Sequence, residues 1–242
     1  LLLLGGYFVW RQKWGAAAGA ASAVAGLVVA SVAVFGVEPN KAWYDVCVAP
    51  FLRGVIPAFN VQSIDGFLMR LWTGASMLRE WSPQPRSLAH TASRWTIYAA
   101  LFGTAFAAFT ARRPAEERAR LRASELEFAA VVMLAITCSP VSWTHYYLLM
   151  LLPWSVMMAS LLAGALAPSS RMLVIASMCL ASLPVIDVPD VGSSIREVLA
   201  RTAVSSWLLG GLALLAALLI ERRKIADSDM PLTAPAPGTD RV

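Results

Sequence analysis

Long uncharged stretches alternate along the chain with short charged ones. From Gly15 to Val37 there is no charged residue, and the stretch is mostly Ala, Val and Gly. About 20 such residues are needed to cross a hydrocarbon core, so the segment predicts a transmembrane helix. Gly15, Gly19, Ala23 and Gly26 recur on it at helical spacing, a face that lets a neighbouring helix approach closely. Residues 1 to 10 read as the end of a spanning helix in an N-terminally truncated chain. From Glu38 to Arg94 prolines, charges and tryptophans mix, too polar to span. Within that loop Trp43 to Leu52 and Ile64 to Leu78 carry apolar residues spaced for interfacial helices. Apolar stretches return at Trp95 to Ala111, Leu126 to Cys138, His145 to Ala167, Met172 to Ile186 and Thr202 to Ile220. The second and fourth of these are short and end near Pro140 and Pro184, which predicts tilted or broken helices buried among others.

The pattern predicts an all-α, polytopic transmembrane helix bundle with a long outer loop that carries interfacial helices. Composition agrees, with 58% hydrophobic and 14% charged residues, where a soluble domain carries about a quarter charged. A net charge of +5 is compatible with nucleic-acid binding or with basic cytoplasmic loops, and position decides between them. Arg112, Arg113, Arg118, Arg120 and Arg122 crowd one short segment, Arg222, Arg223 and Lys224 follow the last span, and Arg11 and Lys13 precede the first full one. Basic residues next to spans mark the cytoplasmic side. Alternation then puts residues 38–94, Ser139 to Thr144 and Asp187 to Arg201 on the outer face of a multi-pass plasma-membrane protein. No nucleic-acid partner is expected. Residues 1–224 read as the membrane domain and 225–242, rich in Asp, Pro and Thr, as a disordered cytoplasmic tail. Cys47, Cys138 and Cys179 are widely spaced and match no disulfide framework or metal motif.

Two outer segments hold candidate chemistry. In the first, Asn60-Val61-Gln62-Ser63-Ile64-Asp65-Gly66-Phe67-Leu68-Met69-Arg70, Ser63 suits a helix N-cap. Gln62, Asp65 and Arg70 offer amide, carboxylate and guanidinium groups above the membrane. One reading is a capped amphipathic helix with solvated charges. The other makes Arg70 a phosphate ligand, because a guanidinium fork matches phosphate oxygens.

The second segment is Ser139-Pro140-Val141-Ser142-Trp143-Thr144-His145-Tyr146-Tyr147. Pro140 interrupts a helix that restarts near His145, collecting Ser139, Ser142, Trp143 and His145 at one spot. Irregular backbone at that depth is either buried or lines a cavity. The aromatics also fit an interfacial belt, and His145 a structural hydrogen bond; polar groups at this depth are otherwise functional candidates.

Together and in this order the two segments resemble glycosyltransferase family 87, a member of the glycosyltransferase C superfamily that includes polyprenol-phosphate-mannose-dependent mannosyltransferases and related arabinofuranosyltransferases. The Ser-Pro-x-Ser-Trp-x-His run carries the resemblance most specifically, and it extends from Gly15 to Ile220. In the first segment Val61 interrupts an Asn-Gln-Ser run, and Asp65 stands where Asn is common.

The resemblance implies a bundle of the glycosyltransferase C type. It also implies transfer of a sugar, mannose by family habit, from a polyprenyl-phosphate donor to an extracytoplasmic glycan or glycolipid acceptor, with inversion; no cofactor is expected, and no outer Asp/His cluster argues for a metal. Arg70 and His145 are then expected to hold the donor phosphate, with Asn60, Gln62, Ser63, Ser139, Ser142 and Trp143 around it. Asp65 is the candidate base on this chain, with Asp45, Asp187 and Asp190 behind it. The superfamily's usual base lies in the first outer loop, so the chain is expected to be catalytically incomplete. A transporter or flippase for polyprenol-linked sugars and a noncatalytic scaffold of envelope synthesis remain alternatives.

Overall fold

The computed structural model describes residues 2–112, 114–184, 187, 188 and 193–228. Helix α1 (Leu2–Trp10) turns at residues 11–13 into α2 (Trp14–Phe35). Gly36, at φ +85° where a side chain would be strained, breaks α2 from α3 (Val37–Cys47), and α4 (Ala49–Arg53) follows. The only strands among the described residues are two residues each, β1 (Gly54–Val55) antiparallel to β2 (Gln84–Pro85). Between them lie α5 (Ile64–Thr73) and a 3-10 turn at Gly74–Met77. The remaining helices are α6 (Leu88–Thr110), α7 (Glu117–Thr137), a 3-10 stretch Thr144–Met150 that leads into α8 (Leu151–Leu162), α9 (Pro168–Ala181), α10 (Ser193–Arg201) and α11 (Ser206–Ser228). This is the all-α membrane bundle that the hydrophobic pattern predicts.

Among the described residues, three stretches are long and apolar enough to cross a membrane: Trp14–Phe35, Thr144–Leu162 and Ser193–Ala226. Helices α6 and α7 have the length, at 23 and 21 residues, but carry charges in their first halves. The apolar run Leu126 to Cys138 is thus the buried second half of a helix that continues back through the arginine segment. Helix α9, with 14 residues, rises only about 21 Å and falls short of a full crossing. Helix α11 continues to Ser228, four residues into the segment expected as a tail; residues 229–242 lie outside the described ones.

Helices α7 and α11 form the centre, with Met133, Ala129, Ala130, Leu214 and Leu218 fully or almost fully buried in one cluster. Their closeness has a local cause. A Cβ on Gly211 would come within 3.0 Å of the Met133 side chain and 3.2 Å of the Tyr147 ring, and one on Gly210 within 3.0 Å of the Ser177 carbonyl on α9. The small residues expected to admit a neighbour behave otherwise. Nothing lies within 4 Å of a Cβ on Gly15, Gly19 or Gly26, and α2 has no buried residue. Close helix packing is used on α11, where the sequence pattern did not single it out.

One end of the bundle is closed by buried charge. Glu127 of α7 takes Arg11 Nη2 at 2.6 Å on one carboxylate oxygen and Arg222 Nε at 2.8 Å on the other. Arg11 also donates to the Phe109 carbonyl at 2.9 Å, Arg222 to that of Ala111 at 3.3 Å, and the Tyr7 hydroxyl to Glu127 at 3.3 Å. One carboxylate thereby ties α1, the end of α6, α7 and α11 together. Removing one partner of a buried ion group leaves uncompensated charge and costs about 3–5 kcal/mol. Glu127→Gln is therefore expected to lower the unfolding temperature in detergent by about 5 °C or more, and an unchanged melting curve would show that the triad does not hold the fold.

Candidate functional site

The opposite end brings the two motif segments together, although about 80 residues separate them. Val61 and Trp143 form an isolated antiparallel bridge. Around it the Gln62 amide donates to the Ser142 carbonyl at 2.7 Å and the Thr144 amide to the Asn60 carbonyl at 3.1 Å. The Tyr147 hydroxyl donates to the Gln62 carbonyl at 2.6 Å, and Ser63 Oγ to the Pro140 carbonyl at 3.4 Å. Pro140 ends α7's line, which frees the following backbone for this pairing. On its other side the segment meets α11: Gln62 Nε2 donates to the Val204 carbonyl at 2.6 Å and to that of Phe59 at 2.9 Å, while its Oε1 accepts from the Leu208 amide at 3.3 Å. Gln62 is a buried clamp, not a group presented to solvent.

Ser63 caps α5 as its position predicts, accepting from the Gly66 amide at 3.1 Å. Gly66 is required here, since a Cβ would sit 3.0 Å from both the Val61 side chain and its carbonyl. Arg70, one turn further, lies fully buried beneath the loop. Its Nη1 donates to the carbonyls of Val61 at 2.9 Å and Ala58 at 3.0 Å, with Pro57 at 3.3 Å, and its Nη2 to Ser205 Oγ at 2.8 Å. Burial pulls the guanidinium down to about 9, still cationic at neutral pH. In this arrangement its fork is taken up by backbone. Arg70 shapes the segment that carries Asn60 and Gln62 and does not point above the membrane, as its sequence position suggests.

Asp65 is also fully buried, not the surface carboxylate that its helix position suggests. Its Oδ1 pairs with His90 Nε2 at 3.0 Å, and its Oδ2 with Arg86 Nη2 and Arg94 Nη1, each at 3.3 Å. Burial pushes the carboxyl up, but the hydrogen bond from His90 and the two guanidinium groups outweigh it and hold the pKa below the ordinary value. A carboxylate so enclosed is a poor proton acceptor and a good anchor for cations. Arg86, His90 and Arg94 were missed in the sequence, yet a signal was there. His90 and Arg94 stand four residues apart in the first turns of α6, which puts them on one face, and Arg86 comes just before the N-cap Ser87, which accepts from the His90 amide at 3.1 Å.

The open surface of this end is aromatic. Trp143 stacks on Trp81 with centroids 5.9 Å apart and planes at 24°, and Phe59 meets Trp81 edge-on at 5.7 Å. His145 is exposed, its ring edge-on to Tyr146 at 4.6 Å. Ser142 is buried and its Oγ has no partner among the described residues, as is true of the Asn60 side-chain oxygen. Ser139 turns inward, donating to the Val141 carbonyl at 2.7 Å. Of the other carboxylates, Asp45 is exposed on α3, Asp187 pairs with Arg79, and Asp190 lies outside the described residues. The arrangement offers an exposed imidazole, aromatic faces and two buried polar atoms without partners beside a rigid turn. Such groups can bind a sugar or polarise a phosphate.

The family model described as Glycosyltransferase family 87 matches residues 1–140, more than half of the chain. The match contains the Asn60–Arg70 segment and ends at Pro140, inside the second segment. No curated protein and no solved structure matches.

Two outcomes follow from these contacts. A buried acceptor left without a donor costs about 1–3 kcal/mol, so Arg70→Met is expected to loosen the 57–63 turn. Hydrogen exchange should quicken at the Gln62 and Thr144 amides, and unchanged protection there would contradict the clamp. Asp65 has a folded pKa below its unfolded one, so its contribution is present above about pH 4 and is lost as pH falls through the folded value. Asp65→Asn should therefore flatten the acid limb of the stability curve, an effect readable by thermal unfolding between about pH 5 and 3.

Proposed function

This chain belongs to glycosyltransferase family 87, a family of membrane glycosyltransferases, and from that premise we propose that it moves a sugar, mannose by family habit, from a polyprenyl phosphate to an extracytoplasmic glycan or glycolipid, with inversion. The observation that carries this reading is the main-chain pairing of Asn60–Gln62 with Ser142–Thr144. It gathers the two motif segments into one rigid turn with His145 and the Trp81–Trp143 stack at its surface.

A lipid-borne donor suits this placement. The site stands at the end of a bundle of apolar helices, where a phosphate can stay at the interface while its isoprenoid chain lies among them. The chain contains no P-loop and no Gly-x-Gly-x-x-Gly run of the kind that cradles nucleotide phosphates. The Arg11–Glu127–Arg222 cluster and the basic segments around it lie at the other end. By the positive-inside rule that end is cytoplasmic, which supports an extracytoplasmic site in the plasma membrane.

In an inverting transfer the acceptor hydroxyl attacks the anomeric carbon as its bond to the phosphate oxygen breaks; the electron pair leaves with the phosphate, and the hydroxyl proton passes to a general base. Preorganised donors aimed at that oxygen lower the barrier most. His145 is the exposed group of the second motif and is assigned to the leaving phosphate; Trp143 and Trp81 offer faces for a sugar ring; Asn60 and Ser142 bring polar atoms to the same turn. Arg70, Gln62 and Ser63 act as positioning residues, since their side chains are spent on backbone. Asp65, enclosed by three partners, anchors cations and is not assigned as the base.

His145→Ala, in the complete protein and in native membranes, is expected to cut transfer of labelled mannose from polyprenyl-phosphate mannose by at least about a hundredfold, with membrane insertion unchanged. Retained transfer would remove His145 from the site. Transfer from a nucleotide sugar, with none from the lipid-linked donor, would overturn the donor class.

A further inference from the structure

The phosphate of a lipid-linked donor needs a cation that the fold has not already used. Arg70 gives both terminal nitrogens to carbonyls and to Ser205. Arg11 and Arg222 share one carboxylate at the far end. The cluster on α6 differs. Arg86 and Arg94 face the single carboxylate of Asp65, so two guanidinium charges meet one carboxylate. Arg86 is further engaged with the carbonyls of Leu52 and Gly54. For Arg94, the contact with Asp65 at 3.3 Å is the single hydrogen bond among the described residues. Its Nε is buried without a partner, as are Arg86 Nε and Nδ1 of His90, whose side chain is 1% exposed; Arg11 Nε, Arg70 Nε and Arg222 Nη1 are open too, so Arg94 stands apart by having no carbonyl partner among the described residues. Buried donors and acceptors left open in this way normally meet a ligand or water. The Arg94 guanidinium lies 4.8 Å over the ring of Trp95, itself well exposed, an arrangement suited to the headgroup level of a membrane.

An apolar groove begins on the same face of α6. Arg94, Tyr98 and Leu101 are spaced i, i+4, i+7, and Leu101 lies about 10 Å below Arg94 along the helix. From Leu101 and Thr104 a groove of about 320 Å³ runs between α6 and α11 past Leu212, Ala216 and Leu219 to Arg223 at the other end of the bundle; Arg94 stands about two turns above it, outside its lining. Neither of two other grooves ends beside a cation with so few protein partners. The one between α1 and α6 reaches towards Arg11, whose guanidinium is held by Glu127 and the Phe109 carbonyl. In the one between α2 and α3, the polar groups Ser31 and Asn40 satisfy each other at 2.8 Å.

We propose that Arg94, steadied by Asp65 and flanked by His90 and Arg86, binds the phosphate of a lipid-linked phosphate whose hydrocarbon chain lies in the α6–α11 groove. The site rests on the lipid-donor reading above and assigns the charge contact to α6, in place of Arg70. Asp65 then serves as a counter-charge, holding two guanidinium groups within reach of one anion while leaving one positive charge uncompensated.

The test is binding to the full chain in nanodiscs of neutral lipid, with four probes: a long-chain polyprenyl monophosphate, the matching uncharged polyprenol, inorganic phosphate and phosphatidylglycerol. The polyprenyl monophosphate is expected to bind at least about tenfold more tightly than the other three. Arg94→Ala should weaken it about tenfold or more, Arg94→Lys about threefold or less, and Thr104→Trp, an exposed position that narrows the groove, about tenfold. Thermal unfolding of each variant verifies folding, and Thr104→Trp tests the site without touching the charge cluster. Unchanged affinity in folded Arg94→Ala overturns the site and leaves the donor reading standing. Equal binding of inorganic phosphate or of phosphatidylglycerol overturns the groove as the chain's seat. Absence of any binding by the wild type removes the lipid-donor reading, and this site with it.

Discussion

Irregular backbone at the edge of a membrane has no bulk water to fall back on, so its amides and carbonyls must be satisfied inside the protein. That constraint organises the whole motif end. The turn 57–63 and the break 139–144 are both non-helical, and each satisfies the other: Gln62 with Ser142, Asn60 with Thr144. What they leave over is taken by side chains from three directions, Arg70 from α5, Tyr147 from the stretch before α8, and Gln62 itself reaching to the start of α11. The turn is rigid because it sits between these elements, its main-chain groups at Asn60, Gln62, Ser142 and Thr144 paired, with His145 exposed beside it.

The bundle meets the same charge arithmetic at each end, two arginines to one carboxylate, and shares its carbonyls differently. At one end Glu127 meets two arginines that are both further bonded to the C-terminal carbonyls of α6. There the excess positive charge is absorbed by backbone dipoles, in a place where four helices must be held. At the other end Asp65 also meets two arginines, but Arg94 gains no carbonyl in return. Two clusters of similar composition therefore differ in how the carbonyls are shared, one to each arginine at the first end and both to Arg86 at the second.

Much of this was legible in the sequence, and the limits have physical reasons. Helix α2, the Ser63 cap and the break at Pro140 depend on local pattern, and local pattern is what a sequence displays. The separation of basic segments from the motif segments was also visible, since it needs only counting along the chain. The depth of a side chain was not. Asp65 and Arg70 stand on a helix whose neighbours on both sides come from distant parts of the chain, His90 and Arg86 for one, Ser205 for the other. Their burial is a property of those neighbours. The same holds for Gly210 and Gly211, which read as an ordinary pair in an apolar run until Met133 and Ser177 are set against them. The glycines of α2 gave a stronger pattern and have no neighbour among the described residues.

The bridge between Val61 and Trp143 is made by main-chain atoms. Amide and carbonyl groups are the same for nearly every residue type, so this joint does not depend on which side chains it carries. The framework is thereby largely uncoupled from the side chains at its surface: exchanging the exposed His145 leaves the main-chain joint as it is, while Trp143 also packs on Val61 and its neighbours. A membrane transferase built this way can be retuned to another sugar by changing side chains on a backbone that stays put.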